Sequence, residues 1–300
     1  MLKKLLALAL AGFFFLQTIL SLAKTWWFFE LFVHYAHYYA LLGTILALLS
    51  LNRRHWNFAL LFLTFTSIHL GTLRPYLNLQ THSDKTPTLT ILSSNFYYTN
   101  ENFAELAPIL AEENPDLFMI HEAGDQWTEG IELFRADYPY IDLTDQLGVQ
   151  GIAMASRIPG TFTEIPLGSK FGLEFTPEDG SYRVLGVHPA APLTPTWAEE
   201  RNAQFADLAT YVNSSQIPTV IMGDFNCTPW SPYLIELMQN AALTDARLGF
   251  GLTPTWHAHN AFFKIPIDHA LLSEGWELID FHRTESIAAD HFPIVVELAR

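Results

Sequence analysis

Asp224 and Asn226 stand two residues apart at the end of the apolar stretch Val220-Ile221-Met222-Gly223. A carboxylate and an amide fixed side by side can take a proton from a water molecule and hold that water in place. The β-branched and apolar run before Gly223 suits a strand buried on both faces. In extended chain, residues 224 and 226 point the same way, and Phe225 turns back toward the core. The pair therefore offers chemistry at the edge of a sheet while adding little to stability.

Other strand ends carry the same kind of residue. Asn95 follows an expected strand at 89–94, and Glu122 follows one at 116–120. His188 ends a third at 182–187. Asp268, with His269, lies within one at 265–272, and Asp290-His291 precedes the last at 292–298. Any one of these could cap a turn. Six such places in one domain are harder to dismiss, because strand ends far apart in sequence can converge on one rim.

The elements that must hold these side chains alternate. A further strand is expected at 151–156, and a helix at 102–113 with Asn100 as its N-cap. Thr196-Trp197-Ala198-Glu199 has the form of a capping box opening a helix to about residue 212. Ser231-Pro232 starts a shorter helix, with Ser as cap and Pro at the first helical position. This mixture predicts an α/β fold, a two-sheet β-sandwich flanked by helices, over residues 89–300. Residues 76–88 read as a linker.

Residues 1–75 differ in kind. Half of the 300 residues are hydrophobic, and the mean hydropathy is +0.16. The excess sits in three runs, at 5–23, 31–51 and 56–73, each close to the ~20 residues that cross a bilayer as a helix. Trp26, Trp27, Trp56 and Tyr76 fall near the ends, where amphipathic rings prefer the interface. Cleavage of the first run as a signal peptide after Ser21-Leu22-Ala23 is the competing reading. Lys3, Lys4, Arg53 and Arg54 place the loops they occupy in the cytoplasm. Three crossings then put residues 75–300 outside, although Lys24 and Arg74 run against that orientation. The expected location is a membrane, with the body on its outer side.

Charge is just as uneven. Residues 1–74 hold six of the 16 Lys and Arg and one of the 31 Asp and Glu, leaving ten and thirty for the remainder, a formal charge of −20. So acidic a body repels nucleic-acid phosphates at long range unless metal ions or a local basic patch intervene. Cys227 is the single cysteine, so no internal disulfide can form.

The order Asn95, Glu122, His188, Gly223-Asp224-Phe225-Asn226, Ile267-Asp268-His269 and Ala289-Asp290-His291-Phe292-Pro293 resembles the endonuclease/exonuclease/phosphatase superfamily over roughly residues 88–300. The chain as a whole is similar to its membrane-anchored bacterial members. The resemblance implies a divalent cation, Mg²⁺ with Mn²⁺ as an alternative, at Glu122 with Asn95 and Asp290 near it. It implies that Asp224 orients and deprotonates the attacking water and that Asn226 holds water or phosphate. His291 steadied by Asp268, and His188, would contact the phosphate. His121 stands where the family often has Gln, and Ala288-Ala289 where Gly-Ser is frequent.

The implied activity is metal-dependent hydrolysis of phosphate esters at a membrane. A small phosphodiester or a lipid headgroup fits the −20 body better than DNA or RNA, so a nuclease is the first rival. A non-catalytic membrane scaffold is the rival of another class. Lesser features carry structural readings. His34, His37 and His121 are expected to pack and Cys227 to be a buried small residue, while Arg157 and Arg183 either hold a phosphate or, more commonly for such residues, are solvated or ion-paired. Thr255-Trp256-His257-Ala258-His259 is either a pocket wall or a surface loop.

Overall fold

Twelve strands among the described residues form two six-stranded sheets. The computed structural model describes residues 1–77, 83, 85–260 and 262–300, so residues 78–82 and 84 of the expected linker lie outside the described residues. The first sheet contains β1 (Leu89–Asn95), β2 (Leu117–His121), β3 (Tyr140–Leu143), β4 (Ile152–Ser156), β11 (Glu277–Arg283) and β12 (Ile294–Ala299), in the order β11-β12-β1-β2-β4-β3. The second contains β5 (Gly160–Leu167), β6 (Lys170–Pro177), β7 (Arg183–Gly186), β8 (Thr219–Asp224), β9 (Thr244–Asp245) and β10 (Asp268–Leu272), in the order β5-β6-β7-β8-β10-β9.

The central strands are apolar on both faces because both faces are covered. Ile91, Met119, Met154, Val184 and Met222 fill the core between the sheets. Their neighbours turn outward. Leu92, Phe118 and Ile120 pack under α5 (Leu106–Glu113) and α6 (Trp127–Gly130). Leu185 and Ile221 pack under α7 (Pro195–Asn213) and α8 (Pro232–Asn240). The period of two thus sorts each strand between the shared core and a helical layer.

Each sheet has a parallel pair at its centre, β1 with β2 and β7 with β8. Parallel strands finish at the same edge, so Asn95 and Glu122 emerge together from one sheet, and His188 and Asp224 from the other. β10 runs antiparallel to β8 with Asp268 opposite Asp224. β12 runs antiparallel to β1, which returns the Asp290-His291 turn to the same rim.

Several local expectations are corrected. The cap of α7 is Thr194, whose side chain accepts from Trp197 N–H, with Pro195 at the first helical position, so Thr196 lies inside the helix. Asn100 does not cap α5. Its side chain accepts from Asn102 N–H, and a 3₁₀ turn, Phe103–Glu105, precedes the helix. The strand expected at 265–272 begins at Asp268, after Pro266, and that expected at 292–298 begins at Ile294, after Pro293; neither proline can donate to a ladder. The chain does not stay extended to Asn226, which has φ +52°.

Among the described residues, three helices are long and apolar enough to cross a membrane. They are α1 (Leu2–Ser21), a broken helix that starts at α2 (Trp27–Glu30) and continues as α3 (Ala36–Asn52), and α4 (Trp56–Leu77). The segment between α1 and α3 lies against the sandwich. Lys24 pairs with Glu236 at 2.6 Å, and Trp230 Nε1 donates to Val33 O at 2.7 Å. Tyr38 OH bonds Lys264 N–H at 2.7 Å. At the end of α4, Pro75 O and Tyr76 O accept from Gly249 and Gly251. The boundary expected at residue 75 therefore does not mark a break in packing.

Candidate active site

The strand ends deliver their polar side chains within a few ångströms of one another. Asn95 Nδ2 donates to Glu122 Oε1 at 3.0 Å and to Asp224 Oδ2 at 3.1 Å, joining the two sheets. Its carbonyl accepts from Tyr97 N–H at 3.1 Å. Asn95 thus turns amide hydrogens, rather than an oxygen, toward the carboxylates. Glu122 takes a second bond from Tyr98 N–H at 3.2 Å and sits at φ +56° just past β2, so its carboxylate is aimed by the backbone on both sides.

Asp224 is the hub. His188 Nε2 and His291 Nε2 each lie 3.6 Å from its Oδ2, and its Oδ1 accepts from Asn226 N–H at 2.8 Å. Asn226 Nδ2 donates to Pro189 O and lies 3.2 Å from His188 Nε2. His291 Nδ1 donates to Asp268 Oδ2 at 2.9 Å. Gly223, at φ +152°, makes this approach feasible, since a Cβ there would collide with Val187 O and crowd the His121 ring.

Burial opposes charge on Asp224, His188 and His291, yet their mutual attraction wins, whereas at Asp268 burial wins and its carboxyl moves upward. Burial alone would lift Asp224, but His291 and His188 hold its carboxyl far below the ordinary range. Burial alone would discharge His291, but the carboxylates of Asp268 and Asp224 carry it up to about 10. His188 moves upward for the same reason, through Asp224. The resting site is an ionised aspartate flanked by two imidazolium-favouring histidines.

Asp224, His291, Glu122, Asn226 and Asp290 all line one cavity of about 520 Å³. Asp290 is fixed there by Trp256 Nε1 at 3.1 Å, so the Trp256 loop is a wall of the cavity. A second cavity of about 410 Å³ shares Glu122 and Asn226 and is also lined by His188 and Lys170. Glu122, Asp290 and Asp224 therefore present carboxylate oxygens to a common space, a donor chemistry that fits a hard divalent cation. Asp224, Asp268 and His291 also lie close enough to be a metal-ligand group, with ligand atoms within 4.8 Å. There the histidine's Nδ1 is already committed to Asp268, so the open edge at Glu122 and Asp290 suits a cation better.

Sequence reasoning missed one residue that holds the site, Arg247. Arg247, fully buried, donates to Asp268 O at 2.5 Å and lies 2.8 Å from His269 Nδ1; His269 Nε2 reaches Cys227 O at 2.7 Å. Thr255 Oγ1 accepts from the Asp268 backbone at 3.2 Å. Arg247 follows β9 and stands 21 positions before Asp268, so nothing in its local sequence ties it to the site. His34 packs structurally, 2.9 Å from Thr228 Oγ1, and His37 lies 3.1 Å from Lys264 O. His121 bonds Ser93 at 3.0 Å, and burial pushes it down to about 3. Cys227 is buried, which pushes its thiol up to about 12. Arg183 is buried against Thr219 and Val212 O, and Arg157 reaches Asn114; neither lines the two cavities.

Two sheets meeting at a rim of carboxylates, amides and histidines define a class of phosphate-ester hydrolase. The model of the Endonuclease/Exonuclease/phosphatase family matches residues 78–291, and the chain belongs to that family. Its fold is similar to the 3′ phosphatase NExo from Neisseria bound to product DNA hairpin (TM-score 0.60, 19% identity, 71% of this chain and 100% of that one). It is also similar to D. rerio TDP2 complexed with single-strand DNA product (TM-score 0.59, 14% identity, 71% and 99%). A third similar fold is the Bacteroides thetaiotaomicron mannosyl-6-phosphatase (TM-score 0.54, 16% identity, 71% and 100%). No curated protein matches the sequence.

Proposed function

We propose that the chain is a membrane-tethered, divalent-metal-dependent hydrolase of phosphate esters. The observation that carries this reading is the clustering of five side chains from separate strand ends: Asn95 bonds both Glu122 and Asp224, and His188 and His291 each lie 3.6 Å from Asp224. Glu122 and Asp290 hold the cation, Mg²⁺ or Mn²⁺, and Asn95 orients Glu122. When bound, the cation neutralises charge on the phosphate and the leaving oxygen. Asp224 accepts a proton from the attacking water as its oxygen bonds phosphorus and the ester P–O bond breaks. Its low basicity at rest is relieved when a phosphate draws His188 and His291 onto its own oxygens. Asn226 holds the water, and Asp268 keeps His291 oriented and charged.

Residues 1–75 serve as the anchor and 89–300 as the catalytic body, placed outside the inner membrane by Lys3, Lys4, Arg53 and Arg54. Limited proteolysis of intact and permeabilised cells tests that orientation. A body protected from external protease after outer-membrane permeabilisation contradicts it.

The test of activity uses the full chain in nanodiscs with bis-p-nitrophenyl phosphate. Turnover requires Mg²⁺ or Mn²⁺, stops with EDTA and is abolished by Asp224→Ala. Absence of turnover on any phosphate ester, together with no metal binding by calorimetry, leaves the scaffold reading instead. A parallel digest of plasmid DNA tests the nuclease alternative, which the −20 body disfavours.

A further inference from the structure

The cavity beside Asp224 has a second wall that hydrolysis itself does not require. Phe28, Leu31, Phe32 and Tyr35, from the segment joining α1 and α3, line it together with the carboxylates. Leu193 lies on the same cavity from the body. This segment is built in rather than draped over the surface. Glu30 pairs with Arg201 at 2.5 Å, with both side chains fully buried, and accepts from Ser231 Oγ at 2.7 Å. His34 sits 2.9 Å from Thr228 and Val33 O accepts from Trp230, so the loop after Asn226 is clasped to the same segment.

The segment also joins two of the three apolar helices, which places it at the membrane face. The cavity lip is apolar where it opens, with Phe28 40% and Leu193 61% exposed. One end of the cavity can handle a phosphate, and the other is aromatic and aliphatic and lies beside the bilayer. A polyanion gains nothing from such a wall under a −20 body. A hydrocarbon chain does, by leaving lipid for protein without meeting water.

Resting on the hydrolase reading, we propose that this wall seats the hydrocarbon portion of a membrane-resident phosphate ester, so that the substrate is a lipid phosphate ester drawn laterally from the bilayer. Phosphate chemistry is supplied by the strand ends and substrate class is selected by the anchor.

The full chain in nanodiscs with Mg²⁺ is assayed on p-nitrophenyl methyl phosphate and p-nitrophenyl hexyl phosphate, which share one leaving group. Each buried methylene is worth roughly a fourfold gain, so kcat/KM for the hexyl ester should exceed that for the methyl ester by about tenfold or more. Phe28→Ser and Leu193→Ser, at two exposed positions, one on the anchor segment and one on the body, should each lower that ratio several-fold. A ratio near one with the methyl ester turned over overturns the lipid wall and leaves the hydrolase standing. A high ratio unchanged in both variants reflects partition into the bilayer and also overturns it. No turnover of either ester or of any other phosphate ester, together with no metal binding by calorimetry, overturns both readings.

Discussion

Asp224 and Phe32 line the same cavity, and what fixes them differs. Asp224 is placed by strand register, with Asp268 opposite it in the ladder and Asn95 bridging from the other sheet. Its wall is a set of charges that compensate one another, held by backbone that would keep its shape without them. Phe32 is placed by a few buried polar contacts, chiefly Glu30 with Arg201 and Ser231, inside an otherwise apolar junction. The comparison teaches where each kind of damage should appear. Loss of a charge from the strand wall should cost chemistry and spare the fold. Loss of a charge from the anchor wall should cost the fold first.

The strongest break of this contrast is Asp268→Asn. Asparagine keeps the shape, and the Asp268 backbone still bonds Thr255 and Arg247. The His291 imidazole loses the carboxylate that orients and charges it. By analogy with other carboxylate–histidine pairs, kcat should fall by about 10²- to 10⁴-fold. Thermal melting should move by only a few degrees. A melting temperature that collapses along with kcat would make the strand wall structural, and the contrast would fail.

Glu30→Gln attacks the other wall. It leaves Arg201, stacked between Phe205 and Tyr233, as a buried cation without its counter-charge. Breaking such a pair typically costs about 3–5 kcal/mol. The full chain in detergent should melt well below the wild type. Replacing both partners, Glu30→Met with Arg201→Met, should restore most of that loss, because packed apolar groups tolerate burial better than a lone charge. A double variant as unstable as the single one would mean that the pair does more than compensate charge.

The strand wall was legible in sequence, and the anchor wall was not. Asn95, Glu122, His188, Asp224 and the Asp290-His291 turn are each polar interruptions at the end of an apolar run, a local signal. Glu30 is also a polar interruption, the lone acid among residues 1–74, yet its partner lies 171 positions away in a helix of ordinary amphipathic pattern. Nothing local distinguishes Arg201 from a solvated helix residue. The same limit hid Arg247. Edge and near-edge strands were missed for a different reason. β5 alternates between exposed and half-buried residues until Ile165 and Leu167, which are buried, and carries Pro166 between them, so its apolar signal is weak. β11 mixes Glu277, Asp280 and His282 into its ladder and is bulged near Leu278. Thr194 and Thr196 both resemble caps, and only Pro195 between them favours the first.

A site remote from both walls gives the smallest effect and calibrates the other two. His282 lies on β11, the outer strand of its sheet, with Nδ1 2.6 Å from Asp280 and Nε2 3.1 Å from Glu113. Its bond to Asp280 raises the imidazole above 6.5, against partial burial and with help from the Glu113 charge. A raised folded-state value means that the charged histidine stabilises the protein fully below about 6.5. That contribution is lost as pH rises through the folded-state value. The side chain is 35% exposed, so solvent screens the pair and the contribution should stay below about 1 kcal/mol. His282→Gln should lower the melting temperature slightly at pH 5.5 and leave it unchanged at pH 9, with activity unaltered at both. His291 also titrates in the folded state, but it does so equally in wild type and variant, so the difference between the two isolates His282. A variant difference that grows with pH would reverse the sign and remove this ion pair as a reference for the buried ones.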